Sequence, residues 1–136
     1  MMKNSVDSLD AALEATIRGV IGKPEGDIYK SDLQRLTNLA TPEKNISDLI
    51  CLEYATGLTE IRFGHTRISD ISPLANLTNL ERLSLHHNQI SDIEPLVNNP
   101  GLSQGDEVYL RNNPLSDTSV NTYVPQLEAR GVHVDY

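Results

Sequence analysis

Aromatic residues and cysteine are scarce in this chain of 136 residues, which contains no tryptophan, one phenylalanine and one cysteine. With so few aromatic side chains, the hydrophobic core must be built mainly from leucine, isoleucine and valine. The single cysteine, Cys51, excludes an intrachain disulfide and a cysteine metal cluster, and we expect it to be a small buried hydrophobe.

Positive charge is also scarce, because 11 Lys and Arg residues face 19 Asp and Glu residues, for a net charge of −8. This balance disfavours a general nucleic-acid binder, and we expect no nucleic-acid partner. Met1–Asp10 lacks the apolar run of a signal peptide, and no segment is long enough to cross a membrane, so we expect no membrane insertion. As written the chain reads as cytoplasmic, but it would be secreted or at the cell surface if it is a fragment of a longer chain, so its localisation stays unknown.

What the chain does contain is an internal repeat. Leu58–Phe63 corresponds to Leu80–Leu85, and Ile68–Leu74 corresponds to Ile90–Leu96, always with an offset of 22 residues. Apolar residues fall at repeat positions 1, 4, 6, 11, 14 and 17. A period of this length with this pattern is the signature of leucine-rich repeats, which build binding surfaces.

The repeats divide the chain into three parts of one structural domain. Residues 1–35 are predicted to form an N-terminal helical cap, with an amphipathic helix over 6–21 that Asp7 or Ser8 can cap and a second helix opening at Ser31. Residues 36–101 form three 22-residue repeats, of which the first is degenerate because Thr41 replaces an expected leucine. Residues 102–136 form a fourth, degenerate repeat with an inserted loop, followed by a C-terminal cap.

These features predict an α/β fold: a right-handed leucine-rich repeat solenoid with a parallel concave β-sheet, an N-terminal helical cap and a C-terminal helix-strand cap. Each repeat supplies one strand near positions 3–6 and returns along a short convex segment, where Pro73 and Pro95 oppose a long helix. At the end of the chain, a helix is predicted to end at Gly131 and to be followed by an edge strand. Pro125 inside this helix predicts either a kink or a late start.

The repeats resemble those of internalin-type bacterial leucine-rich repeat proteins, chiefly in Ile68–Leu80 and Asn88–Leu96. The helical leader before the repeats and Leu110–Asp117 after them are similar to the ends of such proteins. The resemblance implies recognition of proteins on the concave strand face. Family members carry Asn at position 9 as a ladder between coils; here Asn88 and Asn113 follow this pattern, but Lys44 and Thr66 do not. We therefore expect a ladder that is broken in the N-terminal half.

Strand alternation places a set of polar and aromatic side chains on the concave face. Four of the eleven basic residues and three of the four histidines fall there on an otherwise acidic chain, and Arg and Tyr are common interface anchors. The alternative interpretation is that these residues are only a solvated polar face. The candidate partner-binding residues are Glu60, Arg62, His65, Arg67, Arg82, Ser84, His86, His87, Glu107, Tyr109 and Arg111.

The three histidines of this face raise two further possibilities. His65, His86 and His87 resemble a zinc ligand set, but adjacent residues on a strand point apart, so we expect no metal site and no cofactor. Their protonation in mildly acidic solution would instead add positive charge to the face. Motifs for catalysis are absent, and the recurrent Ser-Asp pairs belong to turns, so an enzyme is not expected.

The sequence thus predicts a non-enzymatic protein-binding module that recognises a partner with an acidic or mixed-charge surface through its concave face. We expect the module to be a monomer. The alternative is a structural spacer or adhesin segment of a larger exported bacterial surface protein, in which that face would be expendable.

Overall fold

Residues 10–41 and 45–136 are described by the structure, a computed structural model of the chain. Five strands of three residues each form one parallel sheet in chain order: β1 Asn38–Ala40, β2 Glu60–Arg62, β3 Arg82–Ser84, β4 Glu107–Tyr109 and β5 His133–Asp135. The helices in the described part are α1 Ala11–Ile21, α2 Lys30–Gln34, α3 Glu94–Val97 and α4 Val124–Ala129. This architecture confirms the predicted α/β leucine-rich repeat solenoid.

The register of the sheet follows from the repeat. The central residue of every strand pairs with its counterpart in the next, along the row Leu39, Ile61, Leu83, Val108 and Val134. All five side chains are buried, so each coil stacks an aliphatic residue on the coil before it. The extra residues predicted between the third and fourth strands form a loop in which Asp106 accepts a hydrogen bond from the Ser103 N–H at 2.8 Å.

Short helical turns form the convex side opposite the sheet. The returns are 3₁₀ segments at Leu52–Tyr54 and Ser72–Asn76, and the short helix α3 in the third repeat. Pro73 and Pro95 lie in the first turn of their segments, where the missing N–H would have no helical partner. The convex segments are therefore short, as the prolines predicted.

Helix α1 covers the first coil. The predicted start of this helix, with Asp7 or Ser8 as its cap, lies outside the described residues. Asp10 caps α1, because its side chain accepts hydrogen bonds from the N–H groups of Ala12 at 2.9 Å and Leu13 at 3.4 Å. The helix ends at Gly22, whose φ of 69° is left-handed, as the sequence predicted. Helical spacing puts Val20 on the apolar side of the helix predicted over 6–21, but this residue is 52% exposed.

In the N-terminal region, the start of helix α2 and the burial of Cys51 also differ from expectation. Helix α2 begins at Lys30 rather than Ser31, and the Asp32 carboxylate accepts the N–H of Tyr29 at 2.8 Å. Cys51 is only half-buried, with a φ of 75°, because it lies in a turn rather than at a core position. Thr41 is explained by the cap: the Thr16 hydroxyl of α1 donates to its hydroxyl at 3.0 Å, which suits a polar side chain under the helix.

The asparagine ladder joins the second coil to the third. The Asn88 amide donates to the carbonyls of Phe63 at 2.9 Å and Leu85 at 3.0 Å, and its oxygen accepts the N–H of Ile68 at 2.9 Å. The hydroxyl of Thr66 is buried and hydrogen-bonds the same Asn88 oxygen. Thr66 also hydrogen-bonds the Phe63 carbonyl of its own coil at 3.1 Å, so its hydroxyl joins the second coil to the third, and the break expected between the first and second coils stays a prediction. Lys44 lies outside the described residues.

The C-terminal cap closes the last coil. A π-helical turn at Ser119–Tyr123 leads into α4, and Pro125 occupies the first turn of that helix. The wide turn brings the buried Ser119 hydroxyl to the convex side of the third repeat, where it donates to the Ser91 carbonyl at 2.7 Å. Gly131, with a φ of 90°, then turns the chain into β5. In the described parts of the chain, no helix has both the length and the apolar character needed to span a membrane.

Candidate functional site

The sheet has one buried side and one side that faces solvent. Because side chains alternate along a strand, the residues that flank each buried central residue point outward. We define the sheet face as these outward residues and the turn residues that follow the strands: Asn38, Ala40, Glu60, Arg62, His65, Arg82, Ser84, His86, His87, Glu107, Tyr109, Arg111, Asn112, His133 and Asp135.

A hydrogen-bonded set links β3 and β4 at the centre of the sheet face. The Arg82 guanidinium donates to Glu107 at 2.8 Å, and the Tyr109 hydroxyl donates to the other oxygen of the same carboxylate at 2.6 Å. The bond from Tyr109, followed by that from Arg82, lowers the pKa of Glu107 below its ordinary value. The bond to Glu107 is also the main cause that raises the pKa of Tyr109. At neutral pH, Glu107 is therefore ionised and holds both side chains in place.

The other two arginines of the sheet face are also paired with carboxylates. Arg62 lies 3.3 Å from Glu60 on its own strand, and Arg111 lies 2.6 Å from Asp135 on β5. The guanidinium groups nevertheless stay exposed, with 63% of the Arg62 side chain and 69% of the Arg111 side chain accessible. The face therefore carries charges of both signs in alternation, and the concentration of positive charge expected from the sequence is largely balanced.

The turns after β2 and β3 bring three histidines together. His65 and His87 occupy the same position in consecutive coils and have φ values of 60° and 57°. Their rings stack with centroids 4.1 Å apart and planes 13° apart. The ring of His86 meets that of His65 edge-on at 5.1 Å. Each histidine offers a ring nitrogen, and the three nitrogens lie within 4.8 Å of one another.

The argument that adjacent residues point apart does not hold for these histidines. It assumes an extended strand, but β3 ends at Ser84, and the left-handed turn at His87 brings its ring back beside that of His86. Among the residues that the structure describes, this is the one group of three or more His, Cys, Asp or Glu side chains arranged to hold a metal ion.

Two hollows border the sheet face. The first, of about 340 Å³, lies beside the histidines and is lined by Ser84, His86, His87, Tyr109, Arg111, Asn112 and Asp135. The second, of about 730 Å³, lies at the opposite ends of the strands, beside the loop that precedes β4. Its charged lining is mostly acidic and consists of Glu60, Glu81, Arg82, Asp106 and Glu107. The two ends of the face therefore offer different chemistry.

The structure brings together most of the candidate residues. Glu60 and Arg62 lie on β2, Arg82 and Ser84 on β3, and Glu107 and Tyr109 on β4, while His65, His86, His87 and Arg111 follow in the turns. Arg67 is exposed beyond the turn after β2, and its N–H donates to the Ile46 carbonyl at 2.8 Å, but it lines neither of the two hollows.

Sequence reasoning missed two residues of the sheet face. Asp135 and His133 lie on β5 and point outward beside β4. The signal for β5 was present, because Val132 and Val134 alternate with polar residues. It was interpreted only as an edge strand, and its outward residues were not added to the face.

Comparison with known proteins supports the repeat assignment. Residues 56–103 match the leucine-rich repeat family in two copies. A crystal structure of an internalin, inlF, from Listeria monocytogenes strain 4b F2365 is similar over 86% of this chain, at 30% identity and a TM-score of 0.73. The CBM51-2 and INT domains of Clostridium perfringens ZmpB are similar over 67% of this chain, at 26% identity and a TM-score of 0.58. A search among curated protein sequences found no match.

The solved structures are larger than the part that they share with this chain. The similar region makes up 34% of the inlF chain and 19% of the ZmpB chain. Internalin C2 from the same Listeria strain shares the fold at 16% identity and a TM-score of 0.50, over 92% of this chain and 74% of its own.

Proposed function

Because this chain is a leucine-rich repeat protein with repeats of the internalin type, we propose that it binds a protein partner through the sheet face and has no catalytic activity. Proteins with such repeats are in general protein-interaction modules, since stacked coils create an extended surface. The partner proposed here has an acidic or mixed-charge surface. The observation that carries the proposal is the central set of Arg82, Glu107 and Tyr109, which is ordered by its own hydrogen bonds and exposed to solvent.

The central set has the properties of an interface anchor. Arg and Tyr are enriched among the residues that contribute most to binding, and an ordered side chain loses little entropy when a partner docks. The bonds to Glu107 fix Arg82 and Tyr109 before binding, while 53% of the Arg82 side chain remains accessible. A partner carboxylate would find a guanidinium already in position, and a partner cation would find Glu107.

The size of the face favours a partner that also touches the turns. Strands in a sheet lie about 4.8 Å apart, so five strands span about 19 Å. Specific interfaces commonly bury about 800 Å² on each partner, which is more than strands of three residues offer. The histidine turns and the loop Ser103–Asp106 lie at the two ends of the strands, and we propose that both extend the contact.

The proposal is tested by capturing partners with immobilised protein and measuring direct binding of each purified candidate. The test variant replaces Arg62, Arg82 and Arg111 with Ala, and the control replaces Lys23, Lys30 and Arg35. Both variants remove three positive charges, but the control residues lie around α2, away from the sheet face. We expect the face variant to weaken binding by about tenfold or more, because several charge-assisted contacts are lost together.

Two results would contradict this proposal. If both triple variants weaken binding equally, net charge rather than the sheet face determines the affinity. If neither does, the partner binds elsewhere. Circular dichroism and melting temperatures of both variants must match those of the wild type, so that loss of binding is not loss of fold.

A second candidate is a spacer segment of a larger exported surface protein. The observation that favours it is that the similar regions of inlF and ZmpB are parts of much longer chains. Under this proposal the sheet face is expendable. A chain with Arg82 and Tyr109 replaced by Ala would then function as well as the wild type in the native organism, whereas the binding proposal predicts a loss.

A further inference from the structure

We propose that His65, His86 and His87 form a binding site for a divalent transition-metal ion, with Zn²⁺ as the expected occupant. This inference does not depend on the partner-binding proposal, since a metal ion can bind to the chain alone. Three ring nitrogens from two consecutive coils already lie within 4.8 Å of one another. No other part of the described chain combines three nitrogen ligands in this way.

The fold itself produces the cluster. His65 and His87 are 22 residues apart, so the repeat puts them at equivalent left-handed turn positions, one above the other. The turns are anchored by the sheet ladder: the N–H of His65 donates to the His86 carbonyl at 2.9 Å, and the N–H of His87 donates to the Arg111 carbonyl at 2.8 Å. The relative position of the two imidazoles is therefore set by backbone hydrogen bonds.

Gly64 makes room for the third ligand. A Cβ atom built at this residue would lie 2.3 Å from Cε1 and 2.6 Å from Nε2 of His86. The His86 ring thus occupies the space that any other residue at 64 would fill. Because His86 is at the equivalent position of the next coil, a side chain at both positions would separate the imidazoles. Glycine in one coil and histidine in the next allow His86 to reach His65.

The donor set selects the kind of metal. Imidazole nitrogen suits Zn²⁺, Co²⁺, Ni²⁺ and Cu²⁺, whereas Ca²⁺ and Mg²⁺ require oxygen ligands. Three protein ligands leave one tetrahedral position, here on the solvent side, for water or a donor atom of another molecule. Arg111 is the nearby cation that lines the same hollow, and its pairing with Asp135 at 2.6 Å offsets its repulsion of a metal ion.

Asn112 supplies an outer contact of the kind that orients metal ligands. Its amide nitrogen lies 3.0 Å from Nε2 of His87. Rotation of the amide group by half a turn would put the amide oxygen in that place, so that Nε2–H of His87 donates to it and Nδ1 is left to bind the metal. Such contacts fix the tautomer and orientation of a histidine ligand.

Binding requires a local rearrangement. Nitrogens bound to one zinc ion at about 2.0–2.1 Å lie about 3.4 Å apart in a tetrahedral site, so the present cluster must contract. The nearly parallel rings of His65 and His87 must also tilt toward each other. Both side chains are exposed, so rotation about their side-chain bonds is the movement that the proposal requires.

The test is a calorimetric titration of the full, tag-free chain with ZnCl₂, because a polyhistidine tag would itself bind zinc. The variants are His65→Asn and His87→Asn, since Asn112 shows that this turn accepts asparagine with a φ of 64°. The control is His133→Asn, which removes the fourth histidine of the chain from outside the cluster. We expect one zinc ion per chain, a loss of affinity of about tenfold or more in each test variant, and no change in the control.

Two further measurements test the site without removing any of the three histidine ligands. Gly64→Ala retains all three histidines but displaces the His86 ring, and it should also weaken zinc binding. Imidazole signals of His65, His86 and His87, but not of His133, should shift in NMR spectra on addition of zinc. The proposal is overturned if zinc does not bind at micromolar concentration, or if it binds wild type and the His65 and His87 variants equally.

Discussion

At the scale of single residues, Asp10 connects two distant parts of the chain. One carboxylate oxygen caps α1, and the other accepts hydrogen bonds from the Ser47 N–H at 3.0 Å and the Asp48 N–H at 3.2 Å. Burial alone would raise the pKa of Asp10, but the bonds from Ser47, Leu13 and Ala12 outweigh it and lower the pKa below the ordinary value of 3.8. The charged form is therefore favoured in the folded state.

Replacing Asp10 with Ala should lower the free energy of unfolding at neutral pH by about 1–2 kcal/mol, the upper range for loss of a helix cap. Because the folded-state pKa of Asp10 is lowered, its contribution is complete above pH 3.8 and is lost as the pH falls through the folded-state value. Urea unfolding at several pH values measures this difference. A gap between wild type and variant that stays constant down to about pH 2 would contradict the role of the ionised carboxylate.

Residue-level reasoning from the sequence succeeded where the repeat determines the environment and failed where it does not. The buried positions of repeats two and three follow directly from the 22-residue pattern. Asp10 was taken as part of a longer helix, because no repeat marks the boundary of the cap. The histidines were assigned to opposite sides because the left-handed turn that reverses His87 leaves no distinct signal in one sequence.

At the scale of elements, two neighbouring coils approach each other closely at one glycine. A Cβ atom at Gly101 would lie 1.9 Å from the Thr78 carbonyl oxygen of the preceding coil. The N–H of Gly101 donates to the side-chain oxygen of Asn99 at 2.8 Å, and the buried Asn99 amide in turn donates to the carbonyls of Leu74 and Leu77, each at 2.9 Å. This segment is therefore fixed from both sides.

Gly101→Ala should destabilise the protein by about 1–3 kcal/mol, because the backbone of one coil must move away from the other. Gly19→Ala is the matched control, since nothing lies within 4 Å of its added Cβ and the residue is in α1. Alanine should stabilise that helix by about 0.5–1 kcal/mol. Thermal unfolding of the two variants should give shifts of opposite sign, and a loss of stability in both would refute the steric explanation.

The order and type of the elements could be predicted from the sequence more fully than the side-chain contacts between them. Each strand was predicted from one aliphatic pattern, and the loop before β4 from the three residues that interrupt it. The ion pairs between strands could not be predicted in this way, because they depend on which outward residues meet across the sheet. Arg111 meets Asp135 only because β5 joins the sheet in register with β4.

At the scale of the whole molecule, stability is shared between neighbouring coils. β3 is the middle strand of five, and its central residue, Leu83, packs between Ile61 and Val108 with no exposed surface. A defect there affects the interfaces on both sides. In a solenoid, stability is approximately the sum of the coils and of the interfaces between nearest neighbours.

Leu83→Ala should therefore cost about 2–5 kcal/mol, a large part of the 5–15 kcal/mol by which domains are commonly stable. Val134→Ala, at the last strand, should cost less, because it removes fewer atoms and β5 has a strand neighbour on one side only. Chemical denaturation followed by circular dichroism measures both. Equal losses would mean that the central and terminal coils do not differ in their coupling.

The constant offset between coils also has a genetic consequence. Within residues 58–101, a tandem duplication of any 22-residue segment inserts one whole coil, whatever residue the duplicated segment begins with, because the pattern is restored at both junctions. Unequal recombination can therefore lengthen or shorten the array without selecting its breakpoints. Each event would widen the sheet by about 4.8 Å and leave the caps unchanged. Gene copies that differ by whole repeats would then encode a graded series of surfaces built on the same two ends.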